Sequence, residues 1–263
     1  MALDFSYLKQ DMVSDKPLRA YAGKQLVSFL RKGDFAHAGE EAAIDLAFSH
    51  VAHSPEQSIL DVGCGLGGTA AYIQNLRLGR VTGLDIEKEA ILYAQEKYPA
   101  CVFHCCDVMN AAQVITQQFD LICLFNAFYA FSDQLAALKT LSKLIKMKGK
   151  IIIFDYSDPC IKEITPLFSA GDKNTPPFRP ISFHGIDILL EQSGWKLLRK
   201  VDLSLQYVQW YTQLLDRLLE NENETIRLFS QSLFQKAVTT YSSIKESLVK
   251  GLLGGILLYA EKA

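Results

Sequence analysis

A glycine-rich loop between an apolar segment and a helical segment carries the strongest chemical signal in the chain. Residues 59–68 read ILDVGCGLGG, so an apolar strand is predicted to run into glycines and then into a helix. Glycines let a backbone turn sharply and approach a ligand closely, and Gly63, Gly65 and Gly67 are expected to serve this purpose. A ligand held there would lie outside the carboxyl ends of parallel strands, the usual site in open α/β sheets.

Two cofactors compete for this loop. The spacing Gly63-x-Gly65-x-x-Gly68 also satisfies the dinucleotide fingerprint, which alone is a weak match. Asp61 precedes the first glycine by two residues, where its carboxylate can orient the loop and help neutralise a ligand ammonium group. The pyrophosphate of a dinucleotide would gain nothing from a carboxylate there. Asp61 therefore favours S-adenosylmethionine (SAM).

A series of acidic residues at predicted strand ends points the same way. Asp61, Asp85 and Asp107 end the first, second and third predicted strands. Asp85 can accept hydrogen bonds from two ribose hydroxyls, and Asp107 can accept one from an adenine amino group. Any one of them is explained equally well by an ordinary acid that begins a turn. Three in register beside a glycine loop are much harder to explain that way.

The elements that position these residues alternate between short apolar runs and amphipathic helical patterns, which predicts a doubly wound parallel sheet. Strands are predicted at 58–63, 80–85, 101–107, 119–125 and 150–155, with helices at 69–76, 87–97 and about 135–145. The pattern then changes. Five of the eight prolines fall between Pro159 and Pro180, which predicts a loop or lid segment. A helix at 184–193, a strand at 195–205, a helical insertion at 206–249 and a last strand at 254–262 follow.

Composition limits the function classes. The chain has 263 residues with 27 Lys+Arg and 29 Asp+Glu, a net charge of −2, which argues against a nucleic-acid partner. No membrane-spanning segment or signal peptide is visible, so the six cysteines are expected to be reduced in the cytoplasm. The cluster between Cys101 and Cys106 lacks a second ligand pair at regular spacing, so no metal site is predicted.

Four segments together resemble the class I SAM-dependent methyltransferases: ILDVGCGLGGTA, GLDIEKEAI, CCDV and FDLI. That resemblance implies a Rossmann-like seven-stranded sheet with helices on both faces and the last strand antiparallel near the edge. It also implies that Ile86, Val108 and Phe125 contact the cofactor beside the glycines and acids named above. The implied organisation is an N-terminal helical cap at 1–50 and a methyltransferase domain at 51–263, with the helical lid insertion at 206–249.

A finer resemblance links residues 35–39 and 154–156, the glycine loop and the late insertion to the glycine/sarcosine/dimethylglycine and phosphoethanolamine N-methyltransferases. The group's N-terminal Tyr corresponds most closely to Tyr21. Its Asp and His after the fourth strand correspond to Asn126 and Ala130, a neutral amide and a methyl group. Tyr21, Asn126 and Tyr129 are the predicted catalytic residues.

The sequence thus predicts methyl transfer from SAM to a small-molecule acceptor, such as an amine nitrogen, in a lidded pocket. Because Asn126 and Ala130 cannot balance a cationic amine or take a proton, an O- or C-methyltransferase of a natural product or quinone-like acceptor is the first alternative. A SAM-binding module without activity is the second. A nicotinamide dehydrogenase is a more distant one.

Overall fold

The computed structural model describes residues 18–159 and 178–263. Most of the proline-rich segment predicted as a loop or lid lies outside these residues, as do the first seventeen residues of the predicted cap. Within the described ranges, no helix combines the length and apolar character that a bilayer span requires.

The described residues form one eight-stranded mixed sheet. Its strands are β1 (Ser58–Val62), β2 (Arg80–Asp85), β3 (Val102–Cys105), β4 (Phe119–Phe125), β5 (Ile145–Asp158), β6 (Ile181–Ser182), β7 (Trp195–Asp202) and β8 (Gly254–Lys262). Seven strands run in the order β3-β2-β1-β4-β5-β8-β7, and the two-residue β6 pairs with the end of β5. β8 lies antiparallel between β5 and β7, which confirms the predicted seven-stranded arrangement and its inserted last strand.

Ten α-helices surround this sheet in the described ranges. They are α1 (Tyr21–Arg31), α2 (Glu40–Phe48), α3 (Gly68–Asn75), α4 (Lys88–Lys97), α5 (Ala111–Val114), α6 (Gln134–Leu144), α7 (Ile186–Gln192), α8 (Ser204–Glu220), α9 (Glu222–Leu228) and α10 (Gln231–Val249). One apolar core joins a sheet face to α1–α4, α8 and α10, and a second joins the opposite face to α5–α7. Helices therefore cover both faces, as the β-α alternation predicts.

The central strand β5 shows why its sequence is apolar at successive positions. Ile152 and Phe154 belong to the first core, whereas Ile151 and Ile153 belong to the second, and all four are fully buried. Successive side chains of a strand point to opposite faces, so a strand covered on both sides needs apolar residues throughout. β5 begins at Ile145 rather than at the predicted residue 150, because its first residues pair with the start of β4 across a register shift.

The helical insertion between β7 and β8 packs on the first core. In α8 the buried residues follow one helical face: Tyr207, Tyr211, Leu214, Leu215 and Leu218. This face packs against α10, α1 and β8. α1 and the α8–α10 insertion thereby meet on the same side of the sheet, beside the carboxyl ends of the parallel strands.

Candidate active site

A cavity of about 520 Å³ opens at the carboxyl ends of β1, β2, β4 and β5. Its volume lies within the range of about 300–1,000 Å³ typical of small-molecule sites. The glycine loop and the ends of β2 and β3 form one end of the cavity. α1, α8, α10 and the segment after β4 form the other.

The glycine loop adopts conformations that side chains disfavour. Gly63, Gly65 and Gly67 have φ values of +78°, +53° and +87°. A Cβ atom at Gly63 would lie 2.4 Å from Cβ of Ala127, so the close approach of two loops demands glycine there. Gly63 and Gly65 line the cavity, whereas Gly67 lies behind it at the N-terminal end of α3.

Asp61 lies beneath this loop and is 1% exposed. Burial raises the pKa of its carboxyl to about 7, and the charge of Asp85 adds to the effect. Oδ2 of Asp61 has no hydrogen-bond partner among the described residues, and Asp61 is not among the residues that line the cavity. A buried acceptor in this state needs a partner, such as a ligand ammonium group or a bridging water.

Asp85 lies at the centre of the cofactor end of the cavity. Its Oδ2 accepts a hydrogen bond from the Gly65 amide at 2.8 Å, and its Oδ1 accepts one from the Glu87 amide at 2.9 Å. Lys24 of α1 forms an ion pair with Asp85 at 3.2 Å and another with Glu87 at 2.9 Å. Burial lowers the pKa of Lys24, but these carboxylates outweigh it and raise the pKa overall. Lys24 is not among the site residues predicted from the sequence.

The remaining predicted cofactor residues surround the same end. Ile86 is 68% exposed and lines the cavity, as do Val108 and Phe125. Asp107 accepts a hydrogen bond from the Met109 amide at 2.9 Å and so caps the short 3-10 helix Val108–Asn110. Within the described ranges, no group of three or more His, Cys, Asp and Glu side chains is placed to hold a metal ion.

Of the predicted catalytic residues, the structure places Asn126 and Tyr129 together at the cavity, but not Tyr21. The Tyr21 ring packs edge-on against Tyr93 of α4, with ring centroids 6.2 Å apart. Tyr21 is absent from the described lining of the cavity, and its catalytic role stays a prediction.

Asn126 uses both ends of its amide inside the protein. Its side-chain oxygen accepts a hydrogen bond from the Ala38 amide at 3.0 Å, and its nitrogen donates one to the Tyr207 hydroxyl at 3.1 Å. Asn126 also has a φ of +48°, a left-handed conformation that asparagine tolerates better than most residues. Its contacts thus join the segment before α2, the end of β4 and α8.

Two buried titratable groups next to the cavity are held by neighbouring groups. Burial lowers the pKa of His37 to about 3, and its ring nitrogens contact the Ala38 carbonyl and the Thr69 hydroxyl, each at 3.0 Å. Asp155 accepts hydrogen bonds from the amides of Phe128, Tyr129 and Tyr156. Burial raises the pKa of Asp155 to about 7, although these three hydrogen bonds stabilise the charged carboxylate and oppose the rise. Neither residue lines the cavity in the described structure.

Aromatic side chains dominate the other end of the cavity. The lining tyrosines are Tyr129, Tyr156, Tyr211 and Tyr241. The ring centroids of Tyr129 and Tyr156 lie 5.0 Å apart in an edge-on arrangement, and the Tyr156 and Tyr211 hydroxyls share a hydrogen bond. Burial raises the pKa of all four phenols, so they are neutral near pH 7. Tyr211 and Tyr241 are not among the site residues predicted from the sequence.

The chain is similar in sequence to known methyltransferases. The chain is 27% identical over 197 residues to phosphoethanolamine N-methyltransferase 1 of Arabidopsis thaliana, covering 72% of this chain but 39% of that protein. It is 30% identical over 173 residues to the uncharacterized methyltransferase YodH of Bacillus subtilis, covering 62% of this chain and 67% of that protein. The chain thus spans about two-fifths of the plant relative's length.

A solved structure shares the fold. Haemonchus contortus phosphoethanolamine N-methyltransferase 2, in complex with phosphomonomethylethanolamine and S-adenosylhomocysteine, superposes with a TM-score of 0.81 at 14% identity. The superposition covers 94% of this chain and 60% of that one. Residues 53–196, more than half of the chain's 263 residues, match the family described as "Methyltransferase domain". The chain therefore belongs to the methyltransferase domain family, which identifies SAM as the cofactor and decides between the two cofactors that the glycine loop left open.

Proposed function

We propose that this protein transfers a methyl group from SAM to a small-molecule acceptor inside the cavity described above. One observation carries the proposal: a single cavity runs from the glycine loop to a tyrosine-lined end, with α1, α8 and α10 as walls. The unpartnered oxygen of Asp61 is buried beneath the glycine loop and outside the cavity lining, where a bridging water would connect it to a ligand ammonium group.

The proposed roles at the cofactor end follow from chemistry. Asp85 would accept hydrogen bonds from the ribose hydroxyls, which requires Lys24 to share or release that carboxylate. Ile86 and Val108 would flank the adenine, and Asp107 would accept a bond from its amino group. The bound cofactor supplies an electrophilic methyl group on a positively charged sulfur.

At the acceptor end, positioning is the main contribution that the chain can make. In-line displacement needs the acceptor lone pair, the methyl carbon and the sulfur aligned near attack distance. The tyrosine rings would hold a flat apolar body and exclude water. Among the described residues at this end, His37 is neutral and Asp155 is committed to three backbone amides, so neither is placed as a general base. The nucleophilic atom would therefore arrive unprotonated.

Two classes of acceptor remain. An amine nitrogen is supported by the likeness to phosphoethanolamine N-methyltransferases. An oxygen or carbon nucleophile is supported by Asn126 and Ala130, which place an amide and a methyl group in the lining where a cationic amine would be better served by a carboxylate. We further propose that α1 and α2 belong to a cap and that α8–α10 form a lid. We also propose that the protein is cytoplasmic, where the five cysteines in the described ranges would stay free thiols.

Calorimetric titration with SAM and with NAD tests the cofactor site. The parent should bind SAM and not NAD, and Asp85→Asn should weaken SAM binding by about 10- to 100-fold, the loss expected for a charge-assisted hydrogen bond. Asp120→Asn is the matched control. Asp120 is also a strand aspartate, but it pairs with Lys146 and Ser58 away from the cavity.

Turnover is tested separately as S-adenosylhomocysteine formed with a panel of amines, phenols and carbon acids. Product with any acceptor supports the proposal and identifies the nucleophilic atom. If SAM binds but no acceptor releases product, a binding module without transferase activity is the better description. Parent protein that binds NAD and not SAM would refute the proposal altogether.

A further inference from the structure

Helix α1 presents one regular stripe to the cavity. Ala20, Lys24, Val27 and Arg31 all line it, at helical spacings of four, three and four residues. At a rise of 1.5 Å per residue, Lys24 and Arg31 lie about 10 Å apart along the helix axis. Lys24 contacts Asp85 at the cofactor end, so Arg31 lies toward the tyrosines. α1 thus supplies one cation to each end of the cavity.

Arg31 is buried without being fully paired. Only 7% of the residue is exposed. Its Nη1 donates to the His37 carbonyl and lies 3.5 Å from a carboxylate oxygen of Glu40. Its Nε is buried and has no hydrogen-bond partner in the described parts of the chain. A buried guanidinium with an unused donor is costly unless a further acceptor completes it.

The surrounding charges do not balance Arg31. The same oxygen of Glu40 lies 2.8 Å from Nη1 of Arg217, closer than its 3.5 Å separation from Arg31. One carboxylate therefore serves two guanidinium groups, and the three side chains together carry one excess positive charge. The carboxylates in the described lining are Asp85, Glu87 and Asp107, all at the cofactor end.

Tyr241 of α10 adds a second donor at the same place. It lines the cavity, and its hydroxyl forms no hydrogen bond with the described residues. Arg31 and Tyr241 line the same cavity, and burial raises the pKa of Tyr241 to about 12, although the positive charge of Arg31 opposes the rise. The neutral phenol remains a donor at any ordinary pH.

We propose that Arg31 and Tyr241 form an anion subsite that binds a carboxylate of the methyl acceptor. One excess positive charge matches one carboxylate, and the unpartnered Nε–H of Arg31 is a charged donor for such a group. The inference rests on the proposed function, and it narrows the acceptor to an acid or zwitterion whose apolar body lies against the tyrosines. It also assigns Arg31 as a residue that selects the acceptor.

Calorimetry with a matched pair of probes, benzoate and benzamide, tests this subsite on the full chain with and without S-adenosylhomocysteine. The parent should prefer benzoate. Arg31→Met should weaken benzoate binding by about 10- to 100-fold and change benzamide binding by less than about twofold. Arg31→Lys keeps the charge but not the planar guanidinium, so its benzoate affinity should lie between those of the parent and Arg31→Met. Arg227→Met is the control for net charge, because Arg227 is exposed and pairs with Glu224.

Arg31→Met should fold, because Glu40 keeps its partner Arg217. Equal affinity of the parent for both probes, or unchanged benzoate affinity in Arg31→Met, would overturn the subsite. A second arm compares SAM with 5′-methylthioadenosine, which lacks the carboxylate. If Arg31→Met weakens only SAM, Arg31 binds the cofactor instead and the inference is wrong. If the parent binds benzoate selectively but not SAM, the subsite stands and the proposed function fails.

Discussion

Replacement of Gly63 by alanine measures how tightly the glycine loop packs under the cavity. Two costs add. Alanine at a φ of +78° costs about 1–2 kcal/mol, and its Cβ, 2.4 Å from Cβ of Ala127, adds about 1–3 kcal/mol of overpacking. The expected loss is about 2–5 kcal/mol of unfolding free energy. At roughly 2–4 °C per kcal/mol for a chain of this size, the melting temperature falls by about 4–20 °C.

The matched control separates backbone strain from steric overlap. Gly194 has a φ of +81°, and a Cβ there would meet nothing within 4 Å. Gly194→Ala should therefore lose only the backbone cost of about 1–2 kcal/mol. The double variant Gly63→Ala/Ala127→Gly lacks the overlapping Cβ atom of residue 127. It should recover most of the stability by which Gly63→Ala falls below Gly194→Ala, less about 0.5–1 kcal/mol for the new glycine.

Urea unfolding of the four proteins gives these free energies, and SAM titration reports whether the loop still binds. Equal losses for Gly63→Ala and Gly194→Ala would show that the loop relaxes away from Ala127 at no cost. Failure of Ala127→Gly to restore stability would show that the contact is not the cause. Either result would refute the packing argument for a glycine at position 63.

Three further expectations concern buried polar groups. The carboxyls of Asp61 and Asp155 have pKa values of about 7 in the folded state, above the unfolded value. The folded state therefore binds more protons between pH 4 and 7, and the free energy of unfolding declines as the pH rises through that window. In thermal melts the parent should lose up to about 4 kcal/mol of unfolding free energy over this window relative to Asp61→Asn. His37, with a pKa of about 3, should show no imidazole titration between pH 5 and 8 by NMR, and a midpoint near 6.5 would contradict its burial. The Trp195 indole donates a hydrogen bond to the Leu138 carbonyl at 3.0 Å. Trp195→Phe should therefore lower the free energy of unfolding in urea by about 2–4 kcal/mol, and a loss below about 1 kcal/mol would contradict this expectation.

The sheet could be predicted from sequence because its strands carry a local signal. β2, β4 and β8 begin and end at the predicted residues, and β4 lies between the polar residues Gln118 and Asn126. The start of β5 could not be predicted. Residues 145–149 carry two lysines and a glycine, and they join the strand through the pairing of Ile145 with Phe119 of β4. Pairing between distant segments leaves little trace in local composition.

The same distinction separates the two ends of the cavity. The cofactor end is built from residues near strand ends and one continuous glycine loop, so a linear motif locates most of it. The other end comes from α1, α8 and α10, whose contributions meet only in three dimensions. A periodic signal existed in α1, since Lys24 and Arg31 are seven residues apart among apolar neighbours. Such spacing is more often a solvated face, and only the fold shows that this face is buried.

The position of α1 couples the two ends physically. Its Lys24 pairs with Asp85 and Glu87 where the ribose would bind, and its Arg31 lines the cavity where the acceptor would bind. A cofactor that takes Asp85 from Lys24 changes the contacts of the same rigid helix that carries Arg31. Movement of α1 on cofactor binding would therefore reposition the acceptor cation as well.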